Sequence, residues 1–417
     1  MNSREIVLNA ANHRAGRLPV DFGASGITGI HCLAVEKLRK HYGLEDRPVS
    51  VYIPHTMLGY IDDDLREALG IDTVPILSQR SLYGTANTEM REWTTPWGQK
   101  VLISKEFVFD EDEKGFTIYP KGDKSLKPSG YMPRCGFFFD TIIRQNPDDL
   151  DEPKLEYNLE EFKELSDADV EYWANEAKKV REAGHKYCTV AHLPGTALGD
   201  VALVPAPFLA NPRGVRDIEE WYMLIASDPE FISDIFAAQT EIAIKNLETL
   251  KGALGDALDV AVICGTDFGT QNGAFCSVDK FREIWLPHYK KMNDWIHANT
   301  SWKTFKHSCG AVENFMQSFI DSGFDIINPV QCSAKGMDAA VLKKKYGDRL
   351  CFWGGGVDTQ KILPFGTPDE VRKQVLERCE IFSNDGGFVF NAIHIVQANT
   401  PIENLVAMFE ALKEFRK

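Results

Sequence analysis

The stretch that decides the fold begins with DVAVICG at residues 259–265 and runs to the end of the chain. Four more short apolar runs follow it at nearly regular intervals: KTFKH at 303–307, DIINPV at 325–330, LCFWG at 350–354 and GFVFNAI at 387–393. Strands buried on both faces read as continuous apolar runs, and spacers of helical length favour parallel crossovers. Five such units in a row predict an α/β fold, a TIM-like (β/α)8 barrel, with an open doubly wound sheet as the alternative.

The spacers between these runs are amphipathic and predict helices over 278–298, 311–322, 336–346, 367–383 and 401–415. Toward the N-terminus the pattern is less regular. Three further runs there predict strands of the same barrel: PVDFG at 19–23, DTVPIL at 72–77 and KYCTVAHL at 186–193. A charged helix is expected over 158–184.

Residues 84–135 break the pattern. Within them TPWGQKVLISKEFVFDEDEKGFTIYP (95–120) alternates apolar and polar residues around an acidic turn that contains glycine, which predicts a β-hairpin. We expect 84–135 to be an inserted β-rich segment near the active-site mouth of a single domain spanning 1–417. The aromatic residues of this region would form its core or line an apolar pocket: Tyr83, Trp93, Trp97, Phe107, Phe109, Phe137, Phe138 and Phe139.

The composition excludes several classes of protein. A net charge of -15 over 417 residues argues against nucleic acid as a partner, because neutralising phosphates needs a basic face. No run approaches the length that crosses a bilayer, and the N-terminus lacks the apolar core of a secretory signal. The nine cysteines are scattered, so we interpret them as reduced thiols and expect a cytoplasmic protein.

The first candidate for chemistry is the pair His307 and Cys309. Positions i and i+2 of an extended segment point to the same side, so an imidazole and a thiol can converge on one ion. Zinc accepts this mixture of nitrogen and sulfur ligands. The pair lies where a predicted strand ends and Gly310 opens the next segment, which is where barrel enzymes place their functional groups.

Two other strand ends supply candidates. His394 ends the last predicted strand and is expected to be the third metal ligand, although a buried histidine also serves as a packing residue. Asp267, in CGTDFGTQNG, is a catalytic candidate as a fourth ligand, as a partner that orients a histidine, or as a helix cap.

Residues expected to touch a cofactor or substrate complete the predicted site. Gly354, Gly355 and Gly356 follow a strand and form an anion-binding turn for a cofactor, or simply a tight turn. Their spacing is not that of a dinucleotide site, and the chain has no nucleophile elbow or P-loop. Substrate binding is assigned to Asp21, Gln271, Asn328 and Gln331.

These residues lie in stretches that resemble the uroporphyrinogen decarboxylase superfamily, and within it the branch of zinc- and corrinoid-dependent methyltransferases. The similar stretches are PVDFGASGITGIHCLAVEKLRKHYG (19–43), GTDFGTQNGAFCSVDKFREIWLPHYKKM (265–292), HSCGAVENFMQSFIDSGFDIINPVQCSAKGMD (307–338), FWGGGVDTQKILPFGTPDEV (352–371) and HIVQANTPIENL (394–405). The resemblance implies a TIM barrel with a cleft at the carboxyl ends of its strands.

The resemblance also bears on the metal. In the methyltransferase branch, zinc is bound by a His-x-Cys pair and by a late cysteine before a Thr-Pro pair, with an acid near the metal. His307 and Cys309 match the pair, and Asp267 matches the acid. The late position, counted back from Thr400-Pro401, falls on His394, as it does in true decarboxylases.

The decarboxylase holds its porphyrin carboxylates with an arginine-rich N-terminal segment. RAGRLP at 14–19 is only superficially similar, because the strand at 19–21 is followed by FGASGITG, which has no arginine. This departure favours the methyltransferase branch.

The predicted function is transfer of a methyl group between a small methylated substrate and a corrinoid protein that carries cobalamin. Zinc would act as a Lewis acid on the methylated atom. One thiolate and two imidazoles leave net positive charge on Zn²⁺, which favours a departing alkoxide or phenoxide and hence an O-methyl (ether) substrate. The alternatives are a decarboxylase-type lyase acting on a tetrapyrrole and a non-catalytic corrinoid- or tetrapyrrole-binding protein. A homodimer is one candidate assembly.

Overall fold

The computed structural model describes residues 1–417 and contains sixteen strands and fourteen α-helices. The strands are β1 (Ile30–His31), β2 (Val49–Ile53), β3 (Leu58–Gly59), β4 (Thr73–Pro75), β5 (Met90–Thr94), β6 (Lys100–Ser104), β7 (Phe109–Glu111), β8 (Gly115–Ile118), β9 (Gly130–Pro133), β10 (Asp140–Thr141), β11 (Cys188–His192), β12 (Val260–Cys264), β13 (Lys303–His307), β14 (Ile326–Asn328), β15 (Cys351–Trp353) and β16 (Phe388–Val389).

The helices lie mainly in the second half of the chain. They are α1 (Ser3–Ala11), α2 (Cys32–His41), α3 (Asp63–Leu69), α4 (Asp148–Asp151), α5 (Asp167–Glu182), α6 (Ile218–Ser227), α7 (Pro229–Leu254), α8 (Val278–Ile284), α9 (Leu286–Asn299), α10 (Met316–Asp321), α11 (Ala339–Tyr346), α12 (Ile362–Phe365), α13 (Pro368–Ser383) and α14 (Ile402–Phe415). No helix has both the length and the apolar character that crossing a membrane requires.

The central feature is a curled parallel sheet of seven strands in the order β16-β15-β14-β13-β12-β11-β4. The α/β class and the parallel order predicted from the sequence are confirmed. All five residues of β12 are buried, as expected for a strand covered on both faces.

A short segment joins the two edges of this sheet. The Asp21 amide donates to the Phe390 carbonyl and the Phe390 amide to Pro19, both at 2.9 Å. On the other side, the Asp72 amide donates to the Val20 carbonyl at 2.8 Å. Residues 19–21 therefore lie between β16 and β4, although only Val20 forms a bridge where a strand over 19–23 was predicted.

The sheet separates two groups of buried side chains. An inner group of 13 residues includes Val190, Val262, Phe305, Ile326 and Trp353 from neighbouring strands. An outer group of 81 residues fills the space between the sheet, the helices and the β-rich N-terminal region. Because side chains alternate along a strand, the residue two positions after an inner one also points inward.

Two predicted helices are shorter than the amphipathic or charged segments from which they were predicted. The helix expected over 278–298 is two helices that meet at Trp285, because Pro287 lacks an amide proton and sits in the first turn of α9. The helix expected over 158–184 begins only after Ser166, whose side chain caps the Asp169 amide.

Residues 84–135 contain antiparallel strand pairs. β5 pairs with β6, which also pairs in parallel with β2, and β7, β8 and β9 pair in sequence. The turn between β7 and β8 contains the acidic run noted in the sequence. Of the aromatic residues considered for a pocket, Tyr83, Phe107 and Phe139 are buried in the main core, so packing is their role.

Candidate metal centre

Three side chains from two strand ends converge at the carboxyl end of the sheet. The ligand atoms of His307, Cys309 and His394 all lie within 4.8 Å of one another. Cys309 Sγ is 3.4 Å from His307 Nε2, and the two imidazole rings are 5.8 Å apart between centroids. The structure thus brings together the three residues that the sequence nominated as metal ligands.

The strand geometry explains how His307 reaches this point. Phe305 belongs to the inner group of buried residues, so His307 two positions later also points into the mouth of the sheet. Its Nδ1 is 2.6 Å from Asn328 Oδ1, at the end of the neighbouring β14. An amide oxygen only accepts, so Nδ1 carries the proton and Nε2 keeps its lone pair on the side facing Cys309.

Asn328 is fixed in turn, because its Nδ2 donates to the Trp353 carbonyl at 2.7 Å. The sequence assigned Asn328 to substrate binding. The structure buries it at 1% exposure behind the histidine, where it orients the imidazole.

Asp267 contacts the pair through the backbone. Its Oδ1 accepts the Cys309 amide at 2.7 Å and lies 3.9 Å from His307 Nε2. The cap of the following helix is Ser277, which accepts from the Lys280 amide, so Asp267 is not the helix cap. Its carboxylate positions the Cys309 backbone and adds negative charge beside the histidine.

Two glutamines continue the support of the Cys309 loop. Gln331 Oε1 accepts the Gly310 amide at 2.7 Å, and Gln331 Nε2 donates to Gln271 Oε1 at 2.8 Å. Gln271 Nε2 then donates to the Ser333 carbonyl at 2.6 Å. Gly310 is required here, because its φ is +89° and a Cβ would lie 2.3 Å from the backbone of Gly269.

The protonation of the site follows from its burial. Burial lowers the pKa of His307 to about 4, against a smaller opposing effect of the Asp267 carboxylate. Burial also lowers the pKa of His394. Both imidazoles are therefore neutral at pH 7. Burial raises the pKa of the Cys309 thiol, and Asp267 adds to this, so the thiol loses its proton only to a strong cation.

The donor set suits zinc. A tetrahedral ion with ordinary Zn–N and Zn–S bonds separates nitrogen from sulfur by about 3.6 Å, and the observed Sγ to Nε2 distance is 3.4 Å. Two neutral imidazoles, one thiol and an amide orienting His307 from behind are the residue types of a zinc site.

A buried lysine that the sequence analysis did not single out lies behind the site. Lys306 Nζ donates to the Thr266 carbonyl at 2.6 Å and to the His307 carbonyl, and it lies 5.1 Å from the centre of the Phe268 ring. It ties the end of β12 to the end of β13, which fixes Asp267 relative to His307. The available signal was a lysine directly before the His-x-Cys pair, in a segment predicted to be a strand covered on both faces.

His192 is a second omission. It ends β11, and Val190 two residues earlier belongs to the inner group, so His192 points toward the same mouth. Its side chain makes no hydrogen bond. The signal was a shared pattern, because CTVAH and KTFKH both end a strand on histidine three residues after threonine.

The glycine turn at Gly354–Gly356, predicted to touch a cofactor, is bonded to the neighbouring segment through its backbone. The amides of Gly354 and Gly356 donate to the carbonyls of Val389 and Asn391 at 3.0 and 2.9 Å, so they are not free for an anion. A Cβ on Gly356 would lie 2.2 Å from the Phe390 ring. The three glycines form a tight turn, the second of the two readings that the sequence left open, and two of their three amides are already bonded within the chain.

Asp21 is also misassigned. It is 1% exposed, and its carboxylate accepts from Trp353 Nε1 at 2.8 Å and from the Thr73 hydroxyl at 2.6 Å. Burial raises the pKa of this carboxyl group. It links the strands inside the sheet and does not reach the substrate.

A cavity of about 470 Å³ opens beside the three candidate ligands. Cys309 and His394 form part of its wall, together with Gln271 and Gln331 from the predicted substrate set. A molecule in this cavity is therefore in reach of the sulfur and the imidazole.

Comparisons with known proteins were made against families, curated proteins and solved structures. The family described as uroporphyrinogen decarboxylase (URO-D) matches residues 160–415, a range that includes all three candidate ligands. A methyltransferase from Methanosarcina mazei has a similar fold, with a TM-score of 0.56, 15% sequence identity and 100% of each chain covered. Comparison with curated proteins gives no match.

Proposed function

The chain belongs to the uroporphyrinogen decarboxylase family, and we propose that it is a cytoplasmic zinc-dependent methyltransferase that moves a methyl group between a small methylated substrate and a corrinoid protein. The family resemblance drawn from the sequence is confirmed. Membership of this family and the fold shared with a methyltransferase suggest an enzyme. We also propose to count residues 19–21 as the eighth strand of a single-domain (β/α)8 barrel with 84–135 as its insertion.

One observation carries the proposal. His307, Cys309 and His394 form a set of two nitrogen donors and one sulfur donor (N₂S), and two of its members, Cys309 and His394, line a cavity large enough for a small molecule. Zinc in this set would supply a Lewis acid that withdraws electrons from the methylated atom. In the proposed direction Co(I) of cobalamin on the corrinoid protein would accept the methyl group, and the substrate oxygen, which keeps the electron pair of the broken C–O bond, would take up a proton from solvent.

The chain's own residues prepare this step. Asn328 holds His307 in the tautomer whose Nε2 is free, and Asp267 and Gln331 hold the Cys309 loop through its amides. Preorganisation of this kind means that no side chain has to rearrange when substrate enters.

The lyase alternative is less favoured. A tetrapyrrole carries many carboxylates, and its pocket needs arginine or lysine partners. None of the residues lining the cavity is an arginine or a lysine. The other alternative, a non-catalytic corrinoid- or tetrapyrrole-binding protein, would not need two imidazoles and a thiol arranged around one point.

The test is metal content followed by activity. We expect about one zinc per chain in the purified protein, and the Cys309→Ala variant should lose it. Cys276→Ala is the matched control, because Cys276 is also a free, partly buried thiol but belongs to no ligand group. Methyl transfer should then be assayed with Co(I) cobalamin and a panel of ethers, methylamines and thiols. Full zinc in Cys309→Ala, or porphyrinogen turnover without methyl transfer, contradicts the proposal.

A further inference from the structure

The cavity beside Cys309 and His394 has a polar wall without fixed charge. None of its twelve lining residues is Asp, Glu, Lys or Arg. In a chain of which 26% of residues are charged, a random set of this size would hold about three. Six side chains instead carry an amide or a hydroxyl group: Thr270, Gln271, Gln331, Thr359, Gln360 and Gln397.

The four glutamines divide into two kinds. Gln271 and Gln331 are committed to each other and to the backbone around Cys309. Gln360 and Gln397, in the loops after β15 and β16, are exposed, and their side chains make no hydrogen bond within the chain. Each therefore offers a free carbonyl oxygen and a free NH₂ group to a molecule in the cavity.

This wall discriminates by charge. A carboxylate placed here away from the metal would lose water without meeting a cation, and an ammonium group would meet no anion. The lining also contains no Phe, Tyr or Trp, and its one aromatic ring is the His394 imidazole assigned to the metal, so no ring is left for cation–π binding of a quaternary amine or stacking of an aromatic ether. Hydroxyl and carbonyl groups, in contrast, match amides as both donors and acceptors.

We infer that the substrate is an uncharged, aliphatic methyl ether that carries several hydroxyl or carbonyl groups, recognised by Gln360 and Gln397. The inference rests on the proposed function and narrows its substrate class. It differs from the sequence analysis, which considered an apolar and aromatic pocket. The volume of about 470 Å³ accommodates a molecule of sugar size.

The test measures equilibrium binding to the zinc-loaded protein, by ligand-observed NMR or calorimetry, with three probes of matched size. They are 3-methoxypropane-1,2-diol, which is neutral, 3-methoxypropanoate, an anion, and 3-methoxypropylammonium, a cation. We expect the diol to bind at least about tenfold more tightly than either ion, because each ion would give up part of its hydration at a wall that offers no opposite charge, whereas the diol exchanges hydrogen bonds with water for hydrogen bonds with amides. Equal or tighter binding of an ion, or no binding of the diol, overturns the inference.

Two substitutions locate the recognition. Gln360→Leu and Gln397→Leu should each weaken diol binding by about 2- to 10-fold while zinc content stays unchanged. Both residues are exposed, so the variants should fold. Gln360→Glu should strengthen binding of the cation and weaken binding of the anion. Unchanged diol affinity in both leucine variants contradicts the assignment.

Binding of the probes requires no corrinoid, which separates this inference from the proposed function. Diol binding without methyl transfer to Co(I) would refute the methyltransferase and leave the substrate class standing. Methyl transfer from a charged or aromatic donor in preference to the diol would support the methyltransferase and refute the inferred substrate class.

Discussion

The two ends of the parallel sheet use polar side chains in opposite ways. At the amino end, an aspartate directly precedes β4, β12 and β14, and its carboxylate accepts an amide from the neighbouring segment: Asp72 from Val20 at 3.0 Å, Asp259 from Thr189 at 3.1 Å and Asp325 from Thr304 at 2.8 Å. At the carboxyl end, His307, Cys309 and His394 gather around a shared space.

The partners of the three aspartates make the contrast sharper. Each carboxylate also meets basic side chains: Arg416 and Arg17 at Asp72, Arg4 and His185 at Asp259, and His297 and Lys303 at Asp325. Every carboxylate at the amino end thus has several partners, whereas His394 makes no hydrogen bond and His307 Nε2 meets only the Cys309 thiol.

The difference teaches that the same repeated strand serves stability at one end and chemistry at the other. At the amino end, paired charges lock neighbouring strands in register. At the carboxyl end, groups without partners are held ready for a ligand, which is the division of labour expected of barrel enzymes.

The largest expected effect is the change in the free energy of unfolding with pH. Burial lowers the pKa of His31, His55 and His307 to about 4, from an ordinary value of 6.5. Between these values the unfolded chain binds protons that the folded chain does not, so the free energy of unfolding falls as pH drops from 6.5 to 4. Each histidine contributes on the order of 3 kcal/mol.

Asp325 responds at lower pH. Burial tends to raise the pKa of this carboxyl group, but the bonds from His297 and Thr304 and the charge of Lys303 together hold it below 3.8. The contribution of Asp325 to the free energy of unfolding is lost only as pH falls further. Urea unfolding of the metal-free protein at stepped pH should therefore show most of the loss above pH 4. A stability that stays flat down to pH 4 would contradict this order.

The next effect tests the amino end. Asp259→Ala should lower the free energy of unfolding by about 3 kcal/mol, because it leaves Arg4, His185 and the Thr189 amide without their shared acceptor. Asp256→Ala is the matched control, since Asp256 is 81% exposed and pairs only with Arg181. Urea titration measures both. The refolded Asp259→Ala protein should still bind zinc.

A third substitution tests the carboxyl end. Asn328→Ala should weaken zinc binding by about 10- to 100-fold, because it removes the acceptor that fixes the His307 tautomer. Competition with a chelator measures this. Asn293→Ala is the control, as Asn293 is equally buried and donates to the Ser322 carbonyl away from the metal centre. Equal zinc affinity in the two variants would contradict the role given to Asn328.

The smallest expected effect concerns His192. His192→Ala should change the free energy of unfolding at pH 7 by less than about 0.5 kcal/mol, because the side chain is exposed and has no partner. Its zinc content should stay at the level of the unchanged protein, measured by elemental analysis. Loss of zinc would make His192 a fourth ligand.

The strands of the sheet were predictable because burial on both faces leaves a continuous apolar run. VAVIC in β12 and CFW in β15 are such runs, and each forms a strand at its predicted place. Helix ends were less predictable, because apolar periodicity continues through Trp285 whereas Pro287 interrupts the hydrogen bonding.

The candidate ligands were predictable for a related reason. Parallel strands end at the same edge, so a histidine or cysteine at a strand end is directed to a common mouth. Asp21 and Gly354–Gly356, which lie outside the group of candidate ligands, also stand on or beside strands. The Asp21 carboxylate is bonded to Trp353 and Thr73, and the amides of Gly354 and Gly356 are bonded to Val389 and Asn391.

The sequence by itself determined the parallel α/β architecture, the family and the three side chains that meet at the mouth, because these follow from hydrophobic pattern and strand period. Only the tertiary structure decided which polar groups remain free. Gln360 and Gln397 keep their amides while Gln271 and Gln331 give theirs to the Cys309 loop. Four identical side chains differ in this way because a hydrogen bond depends on what the fold brings within about 3 Å, which no local pattern encodes.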